Sequence, residues 1–597
     1  MRNIDIEKHV TGKSQFIDDI NVPEGTLYAA VFDSQIAHGK ILDINIVDAE
    51  SISGVKAILT AKDIPGINQV GGIIPDETLF AENEVHFAGE PIGIVVADSI
   101  ETAKKAVNKI KVDYENLTAI VDPREAFEKC KLIMPPRTFS FGNVEETWNK
   151  CDVVVEGKVE SGGQEHLYLE TQGSIAIPQE GGKIRIISST QSPTAVQKTA
   201  ARILGVEMNN IEVDVLRLGG AFGGKEDQAT HWAVMSALAA NKLDKPVKLV
   251  LSRMDDLRMT GKRHPYSSDY KIGLTSEGKI LAFEATYYQN AGAFADLSPA
   301  ILDRTLFHAT NSYYIPNVRA TGISCKTNLP PNTAFRGFGG PQGKFVIEAA
   351  LYKAAEKMGI DATEIQQKNL LKNGDTFYYG QPVENNHAER CWIKADKKYD
   401  FKKIKQDVEN FNSKNYQLKK GIALMPICFG ISFTNTLLNQ ASALVHVYTD
   451  GSIGVSTAAV EMGQGVNEKI KIAVAKTFSV SHDRIRVETT NTTRAANTSA
   501  TAASSGADLN GNAAILACRN IFERLLKVAA EELKVSNTQE LELRDEIIFH
   551  KGVKTQLVWN ELIKLTYQKR ISLSSQAYYA TPNIYFDKET NTGRPFA

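Results

Sequence analysis

The chain has 597 residues, with 68 Lys and Arg against 70 Asp and Glu for a net charge of −2; 43% of the residues are hydrophobic and 23% charged. That balance fits a globular protein of several domains, gives no basic face for nucleic acid, and leaves no apolar run long enough to span a bilayer. The first twenty residues are studded with Asp, Glu, Lys and His, and the six cysteines (Cys130, Cys151, Cys325, Cys391, Cys428, Cys518) form no Cys-x-x-Cys pair. We therefore expect a cytoplasmic protein without a secretion signal, without a membrane or nucleic-acid partner, and holding no zinc ribbon or iron–sulfur cluster of its own.

In the first unit, Leu27 to Phe32, Ile41 to Val47, Val55 to Leu59 and Ile92 to Ala97 alternate or run apolar like strands. Ile100 to Ile110 has helical spacing and leads into Lys111-Val112-Asp113-Tyr114, which suggests a strand–helix–strand crossover. Gly89-Glu90-Pro91 resembles an acid in a tight turn, but a turn before a buried strand explains it, and Glu90 receives no catalytic role. Residues 126 to 150, with Pro135-Pro136, read as a linker.

A second unit runs to about Cys391. Strand Ile184 to Ser188, Gln191, helix Pro193 to Leu204 and strand Ile211 to Leu216 precede the loop Leu218-Gly219-Gly220-Ala221-Phe222-Gly223-Gly224-Lys225-Glu226, and helix Gln228 to Leu243 follows. Glycines permit positive φ and close approach of the backbone, so the loop suits an anionic cofactor with a polar substrate beside it. It is not a phosphate loop, because Glu226 follows Lys225 where Ser or Thr is needed. Lysine-rich residues 394 to 420 read as a solvated helix. The third unit repeats the second: strand Ile453 to Ser456, Gln464, helix Val466 to Phe478 and strand Ile485 to Glu488. A long amphipathic helix follows from Ala513 to Leu533. Two related modules predict a ligand cleft between them.

Several ordered stretches carry a resemblance to a known family. They are Gly162-Gly163-Gln164-Glu165-His166, the glycine loop, Cys325 to Asn328 continuing through Asn332-Thr333-Ala334-Phe335-Arg336-Gly337-Phe338 to Gln342, Gly430 to Thr434, Glu461 to Gly465 and Thr501 to Ser504. Together the chain resembles the molybdenum subunit of the xanthine dehydrogenase and aldehyde oxidase family. The resemblance implies an α+β protein: an N-terminal α/β hammerhead domain (residues 1–128), then two related molybdopterin-binding α+β modules (137–393 and 394–597), the second incomplete. It implies a molybdenum–pyranopterin (molybdopterin) cofactor held by its own dithiolene rather than by protein ligands. Gln164, Phe222, Gly223, Arg336, Gln464, Ala502 and Ala503 would surround that cofactor, with Gln164, Phe222, Arg336 and Ala503 nearest the metal.

Phe338 and Phe433 match the aromatics that hold a flat purine, Glu226 and Arg304 its polar clamp, and Thr434 a hydroxyl in the same pocket. The implied reaction hydroxylates hypoxanthine or xanthine to uric acid with water as oxygen source, electrons leaving through 2Fe–2S clusters and FAD on partner chains. The family's catalytic base, a Glu in a Gly-Glu-Pro-Pro stretch, falls beyond Ala597, so no catalytic residue is identified here. The expectation is a chain truncated or completed by a second polypeptide; the alternatives are an inactive remnant or a hydroxylase of aldehydes or other N-heterocycles.

Overall fold

The computed structural model describes residues 5–596; the leader expectation for the first four residues and the chain end at Ala597 lie outside the described residues. An eight-stranded sheet organises the molecule. Its strands run, in spatial order, Thr490–Asn491, Ile211–Val215, Lys183–Ser188, Gly173–Gln179, Val247–Val250, Leu27–Asp33, Pro91–Ala97 and Val55–Thr60. All three units therefore contribute to one sheet. Leu27–Asp33 joins the hammerhead strands to the second unit by parallel pairing with Val247–Val250 (Leu27 opposite Val247), and Thr490–Asn491 adds the third unit at the far edge (Asp214 opposite Asn491). Pro91–Ala97 is buried along its whole length, as an apolar strand covered on both faces must be.

Helix Ala229–Leu243 lies on this sheet, its residues from Ala229 to Ala240 buried. It joins Trp232, Val234 and Leu238 to the main core, where Val460 of the third unit also packs. A five-stranded sheet (Arg137–Phe141, Val318–Lys326, Ile280–Gly292, Tyr266–Leu274, Val153–Ser161) builds a second core against helix Gly340–Met358, and a four-stranded sheet centred on Gln440–Val447 builds a third against helix Gly506–Glu532.

The predicted repeat is present in full. In the second unit Lys183–Ser188 pairs parallel with Ile211–Val215 across helix Pro193–Leu204 (Ile184 opposite Ile211); in the third, Ile453–Thr457 pairs parallel with Ile485–Val487 across helix Val466–Phe478 (Ile453 opposite Ile485). Each helix ends on a left-handed residue, Gly205 or Ser479. The lysine-rich stretch forms helices Ala388–Tyr399 and Phe401–Lys414, where Trp392 alone is buried. None of the helices among the described residues is long and apolar enough to cross a membrane.

Two expectations are corrected. Pro91–Ala97, helix Ile100–Val107 and Lys111–Asn116 are not a crossover within one sheet. Lys111–Asn116 has one half-exposed apolar face and pairs antiparallel with Gly39–Asn45 in a separate small sheet. Residues 126 to 150 are not a bare linker: Arg137–Phe141 is an edge strand of the five-stranded sheet, anchored by buried Phe139.

Candidate functional site

Four loops, each opening into a helix, converge between the two modules around a cavity of about 810 Å³. Gln191 precedes Pro193–Leu204, Gly463-Gln464-Gly465 precedes Val466–Phe478, Ala334 to Phe338 precedes Gly340–Met358, and Thr501 to Ser504 precedes Gly506–Glu532. The glycine loop from Gly219 to Gly223 closes the remaining side.

The backbone here is bent into forms that side chains disfavour. Phe222 (φ 56°), Phe338 (φ 49°), Ala503 (φ 52°) and Ser504 (φ 58°) are left-handed non-glycine residues, and all line the cavity. Such conformations cost on the order of 1–3 kcal/mol each and persist where surrounding structure enforces them, often at ligand sites. Gly223 has φ +105°, and a Cβ there would lie 2.7 Å from the Ala334 carbonyl oxygen, so that loop can approach residues 334–336 only as glycine. The Arg336 N–H completes the contact by donating to the Phe222 carbonyl at 2.8 Å.

Buried side chains hold the loops from behind. Lys225, with no exposed surface, pairs with Glu170 at 2.9 Å, and Glu170 also accepts from the Gly219 N–H at 2.8 Å. His166 donates from Nε2 to the Ala334 carbonyl at 2.7 Å; burial lowers its pKa to about 4, so the ring is neutral. In the other module the Glu461 carboxylate accepts from the N–H groups of Gly463, Gly465 and Asn467 at 3.0, 2.9 and 3.1 Å.

Not every donor is satisfied in this way. The N–H groups of Gly220, Phe222, Ala502, Ala503 and Ser504 have no hydrogen-bond partner among the described residues. The 27-residue helix Gly506–Glu532 opens onto the cavity with no side-chain cap, and the Lys469 side chain lines the same space. Free backbone donors, an uncapped helix start and a lysine together suit an anionic ligand with phosphate and many ring acceptors. Among the described residues no group of three or more His, Cys, Asp or Glu side chains is placed to hold a metal ion. A metal bound here would have to bring its own ligands, as a dithiolene cofactor does.

Glu226 and Arg304 occupy the inner wall. Burial, and then the neighbouring Asp227 carboxylate, raise the Glu226 pKa to about 8 against a partial offset from Arg304. Its carboxyl is thus mainly protonated at neutral pH, and it has no hydrogen-bond partner among the described residues. Burial lowers Arg304 to about 10, and the guanidinium stays charged. Arg304 Nη1 donates to the Gly430 carbonyl at 2.6 Å and Nη2 to the Ser432 carbonyl. Its Cζ lies 6.0 Å from the Phe338 ring centre and 5.2 Å from that of Phe429.

Of the residues expected here, all but Gln164, Phe433 and Thr434 line the cavity. Gln164 is exposed and outside the lining: its Oε1 accepts from Arg263 Nε at 3.0 Å, while Arg263 Nη2 donates to the Arg336 carbonyl at 2.9 Å. The amide that does face the cavity is Gln191, only 2% exposed. Its Oε1 accepts from the Gly223 N–H at 3.0 Å and its Nε2 donates to the Thr501 carbonyl at 3.0 Å, so one side chain ties the modules together. Gln191 and Gln464 occupy the same place in the repeat, two residues before their helices. Phe433 and Thr434 lie near the end of an irregular strap, residues 424 to 434, where Asn439 Oδ1 takes the Phe433 N–H at 2.7 Å and Nδ2 donates to the Phe433 carbonyl at 3.0 Å. Phe429 is the strap's aromatic in the wall.

Comparison with known proteins defines the class first. Two molybdopterin cofactor-binding domain models match residues 127–370 and 394–597, and the aldehyde oxidase and xanthine dehydrogenase a/b hammerhead domain model matches 11–118. The chain is therefore a molybdopterin-binding protein of mixed α and β structure, hammerhead domain first and two cofactor-binding domains after it. It belongs to the xanthine dehydrogenase and aldehyde oxidase family. It is 40% identical over 590 residues to xanthine dehydrogenase/oxidase of Gallus gallus, covering 99% of this chain and 42% of that protein. It is 38% identical over 593 residues to xanthine dehydrogenase of Dictyostelium discoideum, covering 99% of this chain and 42% of that protein. The chain thus spans less than half the length of these relatives. In fold alone it matches quinoline 2-oxidoreductase from Pseudomonas putida 86 (TM-score 0.88, 21% identity, 98% of this chain and 78% of that one). It also matches the aldehyde oxidoreductase from Desulfovibrio desulfuricans ATCC 27774 (TM-score 0.86, 23% identity, 100% of this chain and 64% of that one).

Proposed function

We propose that this chain is the molybdenum-cofactor-binding part of a purine hydroxylase that converts hypoxanthine and xanthine to uric acid. The bound molybdenum–pterin group would supply hydroxylation with water as oxygen source and accept the two electrons released. Xanthine and water give uric acid, two electrons and two protons; the electrons would pass to iron–sulfur and FAD domains or subunits.

The observation that carries the reading is the pairing of Glu226 and Arg304 on one wall. A protonated Glu226 donates one hydrogen bond and accepts another, which matches a ring nitrogen beside a carbonyl. The nearby cationic Arg304 stabilises negative charge that builds on the heterocycle as its carbon is attacked. Phe338 and Phe429 supply flat apolar faces for the ring. A small aldehyde uses neither polar group.

Around the cofactor, Phe222, Gly223, Arg336, Ala502 and Ala503 would offer backbone groups, and Gln464 would border the pterin. Gln191 would tie the loops bearing Gly223 and Thr501 around the cofactor, while Gln164, expected beside the metal, braces Arg263 and through it the Arg336 carbonyl. The test is steady-state oxidation of xanthine by the cofactor-loaded protein with its electron-transfer partners and a dye acceptor. Uric acid formation is the expected result. Stoichiometric molybdenum and pterin with aldehyde oxidation but no uric acid would refute the purine assignment.

A further inference from the structure

The wall bearing Phe429 belongs to a strap, residues 424 to 434, that forms neither helix nor strand. Buried backbone groups in such a segment still need partners. From Leu424 to Ser432 all but one of these partners are side chains of residues 304 to 366; the exception is the Ala503 carbonyl. Gln366 Nε2 donates to the Leu424 carbonyl at 2.8 Å. Asn311 Nδ2 donates to the Pro426 carbonyl at 2.7 Å, and its Oδ1 accepts from the Cys428 N–H at 3.3 Å. His308 Nε2 accepts from the Gly430 N–H at 3.1 Å, Arg304 reaches the Gly430 and Ser432 carbonyls, and the Ser432 N–H donates to the Ala503 carbonyl at 3.2 Å.

Every strap residue in this set is even-numbered. From Leu424 to Gly430 that is the pattern of one edge of an extended strand, whose alternate residues point both backbone groups to the same side; Ser432, at φ 112°, turns the chain out of it. Here the partner is not a second strand but Arg304, His308 and Asn311, spaced four and three apart on and just beyond helix Ser298–Phe307. Arg304 is in the last turn of that helix, His308 caps it, and Asn311 follows in a left-handed turn (φ 48°).

Each rung has a fixed sense. His308 Nδ1 lies 2.9 Å from the Arg304 carbonyl, which can only accept, so Nδ1 carries the hydrogen and Nε2 is the acceptor for Gly430. Burial and the facing charges of Arg304 and Lys344 hold the His308 pKa well below its usual value, which keeps that neutral tautomer. Asn311 is fixed by a third contact, Nδ2 to Glu348 Oε1 at 2.8 Å. A slip of one residue along the strap would turn every side chain to the opposite face. Phe429 would then leave the wall, and Arg304 would lose the carbonyls that orient it.

We propose that His308 and Asn311, neither of which lines the cavity, are positioning residues that fix the register of the strap and thereby the discrimination between flat heterocycles and small substrates. This rests on the purine-hydroxylase reading for its substrates, but the ladder itself can be tested without them. Hydrogen exchange on the purified chain should show the 421–435 peptide exchanging at least about tenfold faster in His308→Leu and Asn311→Leu. His308→Gln, which keeps an acceptor and a donor, should restore most of the protection. Unchanged exchange in both leucine variants, with melting temperature intact, would overturn the proposal.

The functional arm uses the cofactor-loaded protein with its partners. In His308→Leu, KM for xanthine should rise about tenfold, with kcat and molybdenum content within about twofold and acetaldehyde kinetics little changed. His308→Gln should lie near the parent. Equal losses on both substrates, or loss in proportion to molybdenum, would make the ladder merely structural and overturn its role in selectivity. A parent that oxidises aldehydes but not xanthine would instead refute the purine reading. The exchange data together with a heterocycle-to-acetaldehyde ratio taken with quinoline would then decide the ladder's role.

Discussion

The sharpest consequences at the scale of single residues concern one glutamine and one acid. Gln191 bridges Gly223 of the first module to Thr501 of the second from inside the cavity, whereas Gln164 braces Arg263 from outside it. Gln191→Ala should lower kcat per bound molybdenum by about 10²-fold, the usual effect of removing a preorganised donor. Gln164→Ala should stay within about threefold of the parent, since it loses an exposed hydrogen bond. Metal analysis beside kcat separates the two, and the reverse ranking would make Gln164, not Gln191, the amide that acts on the metal centre. Glu226 makes a prediction about pH. Its folded-state pKa, about 8, lies above the usual carboxyl value, so the folded chain binds its proton more tightly than the unfolded chain. This contribution is present at low pH and is lost as pH rises towards about 8, so stability should fall across that window. Glu226→Gln should flatten this component in melting curves taken from about pH 5 to about 9. An unaltered slope would mean that Asp227 and its neighbours, not Glu226, take up the proton.

At the scale of elements, the parts legible in the sequence were those set by local pattern. The repeated strand–helix–strand units follow from apolar periodicity; their helices, Pro193–Leu204 and Val466–Phe478, match residue for residue, and their strands to within one residue at either end. What the sequence hid were long-range pairings. Nothing local says that Lys111–Asn116 pairs with Gly39–Asn45 rather than Pro91–Ala97, or that Arg137–Phe141 finds an edge beside Val318–Lys326. The site was legible where glycines and special backbone forms mark it, as at Phe222, Phe338 and Ala503. It was obscure where a residue acts through position alone, as Gln191 and Phe429 do in the cavity wall. The glycine loop gives the element-scale test. Gly223→Ala must place a Cβ 2.7 Å from the Ala334 oxygen at φ +105°, and should cost about 3 kcal/mol or more and release the cofactor. Gly181→Ala, also at positive φ but with open space around it, should cost only about 1 kcal/mol and leave the cofactor bound. Thermal melts and pterin content measure both; equal destabilisation would show that backbone strain, not the close approach, decides the loop.

On the scale of the whole molecule, the eight-stranded sheet makes the hammerhead domain and both cofactor-binding modules one framework, and the cavity opens where the modules meet. The family fixes the cofactor; the lining must choose the substrate. A buried acid left without its partner loses on the order of 1–3 kcal/mol, enough to separate two substrates by tenfold or more. The decisive measurement is therefore a ratio, kcat/KM for xanthine over kcat/KM for acetaldehyde, in the cofactor-loaded protein and its Glu226→Val variant at equal molybdenum content. The ratio should fall by about tenfold or more, with acetaldehyde oxidation nearly unchanged. Equal losses on both substrates would contradict it, because Glu226 would then be holding the fold or the cofactor and not reading a purine.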